Sequence, residues 1–310
     1  MYQKPTVPRS IGGVLDDSLQ LFKASLSRCI LPAVAISVIA TALSLFQLTR
    51  LPAAATPVAA NLPAMLARYQ NTSPSSLLLT LLSLLLELVF YGILIAIIVG
   101  VTRGAAPSFG TAVQTSLRRL PAMFGASVVF MIVGVVGFAI AVIPGLVAAV
   151  RARGAGGPAE VVAAVAPMLL VCLVLMLPVL YVLGRLQLFL VPLVSEPEGP
   201  LQSIGTSWRL VGGNWWRATT VVFILGVIIY ILTIIVVAIA GTVAVLMVGT
   251  PTTPGTILSA AALVGALMGG LIRIFSVPLM ASLYVTLYQD LKLRKGGGDL
   301  EARLGALPKG

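Results

Sequence analysis

The sequence predicts an all-α polytopic membrane protein: six transmembrane helices as three tandem hairpins, each preceded by an amphipathic interfacial helix. Three observations carry this reading. Hydrophobic residues make up 59% of the 310-residue chain and charged residues only 9%, whereas soluble domains carry about a quarter charged residues. Six apolar runs, at approximately 29–48, 77–101, 125–149, 167–192, 218–248 and 257–288, can each cross a hydrocarbon core of roughly 30 Å, which takes about 20 helical residues. A short amphipathic stretch with a central serine stands before the first, third and fifth runs, at Ser18, Ser116 and Ser207. A unit that recurs at such a period marks internal duplication. The pseudo-repeats run about 8–104, 105–197 and 198–292 within a single membrane domain spanning 1–310, with 293–310 as a cytoplasmic tail.

Taken in order, the first amphipathic stretch places Leu15, Leu19, Phe22 and Leu26 at helical spacing, opposed by Asp16, Asp17, Gln20 and Lys23. The span that follows is expected to stay attached. Charges precede it, and the small-residue string Ala53-Ala54-Ala55 lies too far along for an ordinary leader. The loop at 49–76 is the longest outside segment, with a short helix expected over 62–69. The second span carries Glu87 near its middle. The second amphipathic stretch sets Phe109, Val113, Leu117, Leu120 and Phe124 against Gln114, Thr115, Arg118 and Arg119. The third and fourth spans follow, joined by a glycine-rich loop at 150–160, and the fourth contains Arg185.

The last amphipathic stretch sets Leu201, Ile204, Trp208, Val211 and Trp215 against Gln202, Thr206, Arg209 and Asn214. The sixth span contains Arg273 and a GxxxG at Gly265 and Gly269, read as intramolecular packing. Each stripe has the 3.6-residue period of a one-sided helix. Pro8, Pro107 and Pro200 stand just upstream, where proline opens helices. Helix is required in the spans because backbone groups in lipid need partners within their own segment. Pro144, Pro167, Pro178, Pro192 and Pro278 are therefore expected to bend or end helices without abolishing the crossings.

Net charge is +11, and its placement gives the orientation. Lys4, Arg9, Lys23, Arg28, Arg103, Arg118, Arg119, Arg209, Arg217, Lys292, Arg294, Lys295, Arg303 and Lys309 fall on one side, and Arg50, Arg68, Arg151 and Arg153 on the other. The basic side is expected to be cytoplasmic, with both termini there. No basic patch is interleaved with aromatics, which excludes a nucleic-acid role. The preference for arginine and the Ala, Leu, Val and Gly richness fit a bacterial inner membrane protein. Anionic lipid headgroups are the expected partners, with a protein partner possible at the cytoplasmic face.

The chain contains no histidine, which removes histidine-based acid–base catalysis, histidine-dependent nucleophiles and histidine metal ligands. Cys29 and Cys172 lack paired spacing and read as reduced residues in the core or facing lipid. No catalytic residue, metal ligand or cofactor site emerges. Asp16 and Asp17 are adjacent and point to different helix faces. Glu196 and Glu198 lie in a Pro-Gly loop where solvation is the default.

What remains is an intramembrane charged set, Glu87, Arg185 and Arg273, each on the second helix of its hairpin. A lone charge at the bilayer centre costs at least roughly 2.5–3.5 kcal/mol, so Glu87 is expected to pair with Arg185 or Arg273. Two roles stay open: a midplane substrate or proton site, and a buried bridge that fixes hairpin packing, with Arg185 snorkelling toward the cytoplasmic side. Phe22, Phe124, Trp208, Trp215 and Trp216 read as interfacial anchors, the last three being all the tryptophans of the chain. Tyr181, Tyr230, Tyr284 and Tyr288 are read the same way.

Three segments carry a family resemblance: Ile11-Gly-Gly-Val-Leu-Asp-Asp-Ser-Leu-Gln-Leu-Phe-Lys23, Ser207-Trp-Arg-Leu210, and Tyr284 through Tyr288-Gln-Asp-Leu-Lys-Leu-Arg294. Together they resemble the six-span bacterial proteins grouped with the glycerophosphoryl diester phosphodiesterase membrane domain. The resemblance implies an all-helical membrane module of undefined activity, fused in some relatives to a soluble phosphodiesterase for which this chain has no room. The expected function is thus a non-enzymatic membrane scaffold that organises lipids or partners. The alternative is a small transporter or channel built on the Glu/Arg centre.

Overall fold

The computed structural model describes residues 5–49, 74–105, 107–152, 157–196, 198–248 and 254–296. The helix expected over 62–69, most of the 150–160 loop, the basic residues Lys4, Arg50, Arg68, Arg153, Arg303 and Lys309, and the end of the tail lie outside these residues.

Eight helices are present among the described residues, and no strand: α1 (Ile11–Thr49), α2 (Pro74–Thr102), α3 (Phe109–Ala152), α4 (Pro158–Leu186), α5 (Leu190–Ser195), α6 (Pro200–Val211), α7 (Trp215–Val248) and α8 (Pro254–Lys295). Six segments are long and apolar enough to cross a membrane: Ile11–Phe46, Leu81–Thr102, Phe109–Ala148, Val165–Ser195, Trp215–Val243 and Leu263–Lys295. The protein is an all-α multi-pass membrane protein.

The interfacial helices differ from expectation. In the first two repeats the amphipathic stretch and the span form one continuous helix. α1 has 39 residues, about 58 Å at 1.5 Å per residue, and α3 has 44. Only in the third repeat is the stretch a separate element, α6, cut from α7 by Gly212, Gly213 at φ +83° and Asn214. Glycine takes this left-handed turn without the Cβ clash other residues suffer. The first two repeats lack such a breaker, so their helices run on.

Prolines mostly spare the helices. Pro32, Pro121, Pro144, Pro167, Pro178 and Pro278 all sit inside continuous α-helix. The fourth span alone is interrupted, by a turn over 187–189 before α5. Pro192 accounts for the break, since its ring clashes with the carbonyl four residues earlier, at Leu188. The Leu188 carbonyl accepts from the Val191 amide at 3.0 Å instead, and the Leu188 amide, in the turn, donates to Ser207 Oγ at 3.2 Å.

The three serine-centred stretches share a physical register. Ser10 Oγ accepts from the Gly13 amide at 3.1 Å and Ser108 Oγ from the Thr111 amide at 3.3 Å, capping α1 and α3, while Gly199 caps α6. Each cap lies eight residues before its repeat serine, and all three serines are fully buried. Four residues before each serine, Val14, Ala112 and Ser203 are buried as well.

Helix α1 packs against α8 and α2, α2 against α3, α3 against α4, and α7 against α8, so the chain closes first repeat onto third. α4 meets the third hairpin chiefly through α6. The dense core lies at the end where α1 begins and α8 finishes, around Leu21, Ile93, Leu94, Ile98, Met123, Leu188, Leu283 and Leu287. Toward the opposite end large apolar side chains face outward, among them Phe138, Leu173, Ile239 and Leu246. In lipid such exposure costs nothing, and helix association rests on close packing and hydrogen bonds.

Close approach is made by glycines other than the expected pair. Among the described residues nothing packs within reach of Gly265 or Gly269, whereas a Cβ at Gly270 would collide with Thr41 on α1. Gly92 gives Ser116 and Met123 the same access to α2, and Gly184 admits the Trp215 indole to α4.

Candidate functional site

Two places at helix junctions gather polar chemistry inside this apolar body. The first contains Glu87 on α2 and Arg273 on α8, which form an ion pair with Nη2 to Oε1 at 3.1 Å. Both side chains are 40% exposed and line a cavity of about 370 Å³ with Ile36, Leu88, Tyr91 and Leu190. Elements from all three repeats meet here. The volume falls in the range of small-molecule sites, and an apolar wall with few polar groups is usual for them.

Arg185 does not join this pair, so the three intramembrane charges form no single centre. It lies at the C-terminal end of α4, its guanidinium 4.0 Å over the Trp208 ring and 5.6 Å from the Tyr181 ring. It donates to Tyr181 Oη at 3.1 Å and to the Trp208 carbonyl at 2.9 Å. The reason is neighbourhood: α2, which carries Glu87, packs against α8, which carries Arg273, while the Arg185 side chain is turned to α6. Arginine there finds aromatic faces and a helix-end carbonyl instead.

The second place is the dense end itself. Ser116 Oγ donates to the Val89 carbonyl at 2.6 Å, and Ser207 Oγ to the Arg185 carbonyl at 2.8 Å. Equivalent repeat serines thus tie the start of one hairpin to the second helix of the hairpin before it. Ser18 instead bonds its own helix, at the Leu15 carbonyl. The first repeat is joined to the third by a charge cluster. Asp290, only 4% exposed, accepts from Arg217 at 3.2 Å and Arg294 at 3.0 Å, and from the Arg9 amide at 2.8 Å. The Arg9 carbonyl accepts from both guanidiniums, and Arg9 reaches Asp17 at 3.3 Å.

Glu196, expected to be solvated, is also engaged. Its Oε1 accepts from Tyr288 Oη at 2.7 Å and pairs with Lys292. Burial opposes its ionisation, but the bonds from Lys292 and Tyr288 and the charges of Lys292 and Arg103 outweigh it and hold its carboxyl below the usual value. Glu198 is likewise bonded, to Thr206 Oγ1 at 3.0 Å. Tyr288 is therefore a buried partner and no surface anchor, whereas Tyr230 is 66% exposed. The adjacent acids do split as expected, Asp16 bonding Gln20 on the exposed side while Asp17 is buried.

The aromatic positions divide. Phe22 and Phe124 are half-buried on α1 and α3. Trp216 is open and Trp208 more than a third exposed, while Trp215 donates Nε1 to the Tyr181 carbonyl at 3.1 Å. Asp290 went unnoticed in the sequence, although its i,i+4 spacing to Arg294 was a usable signal. Nothing local could have linked it to Arg9 or Arg217. Among the described residues no group of histidine, cysteine or acidic side chains is placed to hold a metal ion.

Neither the curated proteins nor the solved structures contain a match to this chain. A family model does match, over residues 37–287, which takes in four of the six membrane-length segments whole and both Glu87 and Arg273, and stops short of Asp290. The chain therefore belongs to the family described as a domain of unknown function, DUF7847.

Proposed function

We propose that this protein is a non-enzymatic scaffold of a bacterial inner membrane, with both termini cytoplasmic, that organises lipids or partner proteins along the dense end of its bundle. One observation carries the reading. In every repeat the serine faces inward, and the apolar residue directly after it faces out: Leu19 at 42%, Leu117 at 51% and Trp208 at 37% exposure. A threefold outward apolar row, set among basic side chains, is the surface an anionic leaflet or an amphipathic partner segment would meet.

Co-purification from native membrane, with bound lipids and proteins identified, tests the reading. The wild-type protein is expected to carry associated molecules that the pair Leu19→Ser, Leu117→Ser loses. If nothing associates, and reconstituted protein moves solute in a Glu87-dependent way, the scaffold reading fails.

That second outcome belongs to a transporter or channel, which the cavity around Glu87 and Arg273 favours. Reconstituted Glu87→Gln protein would then lose flux while keeping its fold. Unchanged flux removes the transport reading.

A further inference from the structure

Two adjoining hollows on α6 share one side chain. The first, about 650 Å³, is lined by Arg185, Arg209 and Lys295 together with Thr206 and the Gly212-Gly213 backbone. The second, about 530 Å³, is lined by Leu186, Leu201, Ile204, Gly205 and Trp208, and again by Arg209. One is basic and the other apolar, with Arg209 at the border. Among the described residues no acidic side chain lines either hollow. The Glu198 carboxylate is engaged by Thr206, which donates to it at 3.0 Å and also meets Arg209 Nη2 at 3.4 Å.

The basic hollow is built as well as charged. The Arg185 guanidinium is fixed over Trp208 and bonded at two nitrogens. Its Nε is buried with no partner among the described residues. A Cβ at Gly212 would collide with that guanidinium, so the bare backbone makes the room. Arg209 and Lys295 are exposed and reach in from α6 and the end of α8.

From this we infer that α6 binds one anionic phospholipid, its phosphate among Arg185, Arg209 and Lys295 and its acyl chain along Leu186, Leu201, Ile204 and Trp208. The inference rests on the lipid-organising reading and gives it a site. The apolar hollow is what selects a lipid over a free phosphate, because a soluble anion would leave it unfilled. Three cations, with no acid among the described lining residues, select an anionic over a zwitterionic headgroup.

All three tryptophans, Trp208, Trp215 and Trp216, stand on or beside this site, so intrinsic fluorescence reports on it, over the background from bulk lipid at the 76% exposed Trp216 that brominated phosphatidylcholine measures. The full chain in phosphatidylcholine bilayers is titrated with phosphatidylglycerol or phosphatidylcholine carrying brominated acyl chains. Phosphatidylglycerol should quench at much lower mole fraction. The exposed-residue variants Arg209→Gln and Lys295→Gln should each weaken that preference about fivefold, and the double variant about 25-fold. Equal quenching by the two lipids in wild type overturns the proposal, as does a preference that survives in the double variant. Displacement of the brominated lipid by soluble glycerol phosphate would also overturn it, by assigning the site to a free anion. The scaffold reading has its own separate readout in the Leu19 and Leu117 variants, so the two can fail independently.

Discussion

Removing the Asp290 carboxylate should open the bundle where its first and third repeats meet. The side chain is 4% exposed and receives Arg217 at 3.2 Å, Arg294 at 3.0 Å and the Arg9 amide at 2.8 Å. Asp290→Ala leaves two guanidiniums facing each other with no counter-charge and strips the Arg9 amide of its acceptor. Deleting one partner of a buried pair costs about 3–5 kcal/mol. Arg217 and Arg294 keep 17% and 29% exposure, so water recovers part of this and the lower end, about 3 kcal/mol, is expected. That is about a hundredfold in the folded-to-unfolded ratio. The assay is SDS-driven unfolding of the full detergent-solubilised chain, followed by tryptophan fluorescence, which Trp215 and Trp216 beside Arg217 make sensitive to this joint. Arg217→Gln should destabilise less, and little further once Asp290 is already alanine, because the two changes remove one shared interaction. A loss below about 0.5 kcal/mol for Asp290→Ala would show that the cluster is solvated and does not join the repeats.

Other joints give sharper contrasts. Gly270→Val places side-chain atoms into Thr41 and should cost about 1–3 kcal/mol by overpacking. Adding Thr41→Ala should recover most of the loss in the same unfolding assay, and no recovery would refute the close approach. Ser207→Ala removes a bond to the Arg185 carbonyl and orphans the buried Leu188 amide, for about 1–3 kcal/mol. Ser18→Ala loses only a bond within its own helix and should cost less than half as much; equal losses would refute the interhelix role. Glu196, whose folded pKa is held below its usual 4.5, favours the folded state above about that pH. Its contribution should fade as pH falls through the depressed folded value. Wild-type stability should therefore drop on acidification more steeply than that of Glu196→Gln, and parallel curves would contradict the Lys292 and Tyr288 contacts.

The limits of legibility are visible in single residues. Glu87 could be assigned a basic partner from burial cost alone, and the correct one was among two candidates. Choosing between Arg273 and Arg185 needed to know which helices pack together, α2 on α8 and Arg185 toward α6, which a hydropathy run does not encode. The GxxxG at Gly265 and Gly269 was a pattern without a partner, while Gly270, one residue on, faces Thr41. Helix rotation decides this, and apolar residues on every side of a span leave rotation unmarked in its sequence. Glu196 looked solvated because its Pro-Gly neighbours are loop formers. Its actual partners lie more than 90 positions away, at Tyr288 and Lys292.

The sequence by itself determined six helical crossings and a serine-centred stretch that occurs three times, because lipid permits only internally bonded backbone and helical periodicity is written directly in residue spacing. The tertiary structure alone decided which face of each stretch turns inward, which charges meet, and how first repeat closes on third. Those outcomes depend on helix rotation and on pairings across the whole chain length. In an almost uniformly apolar polypeptide, only the packed bundle sets them.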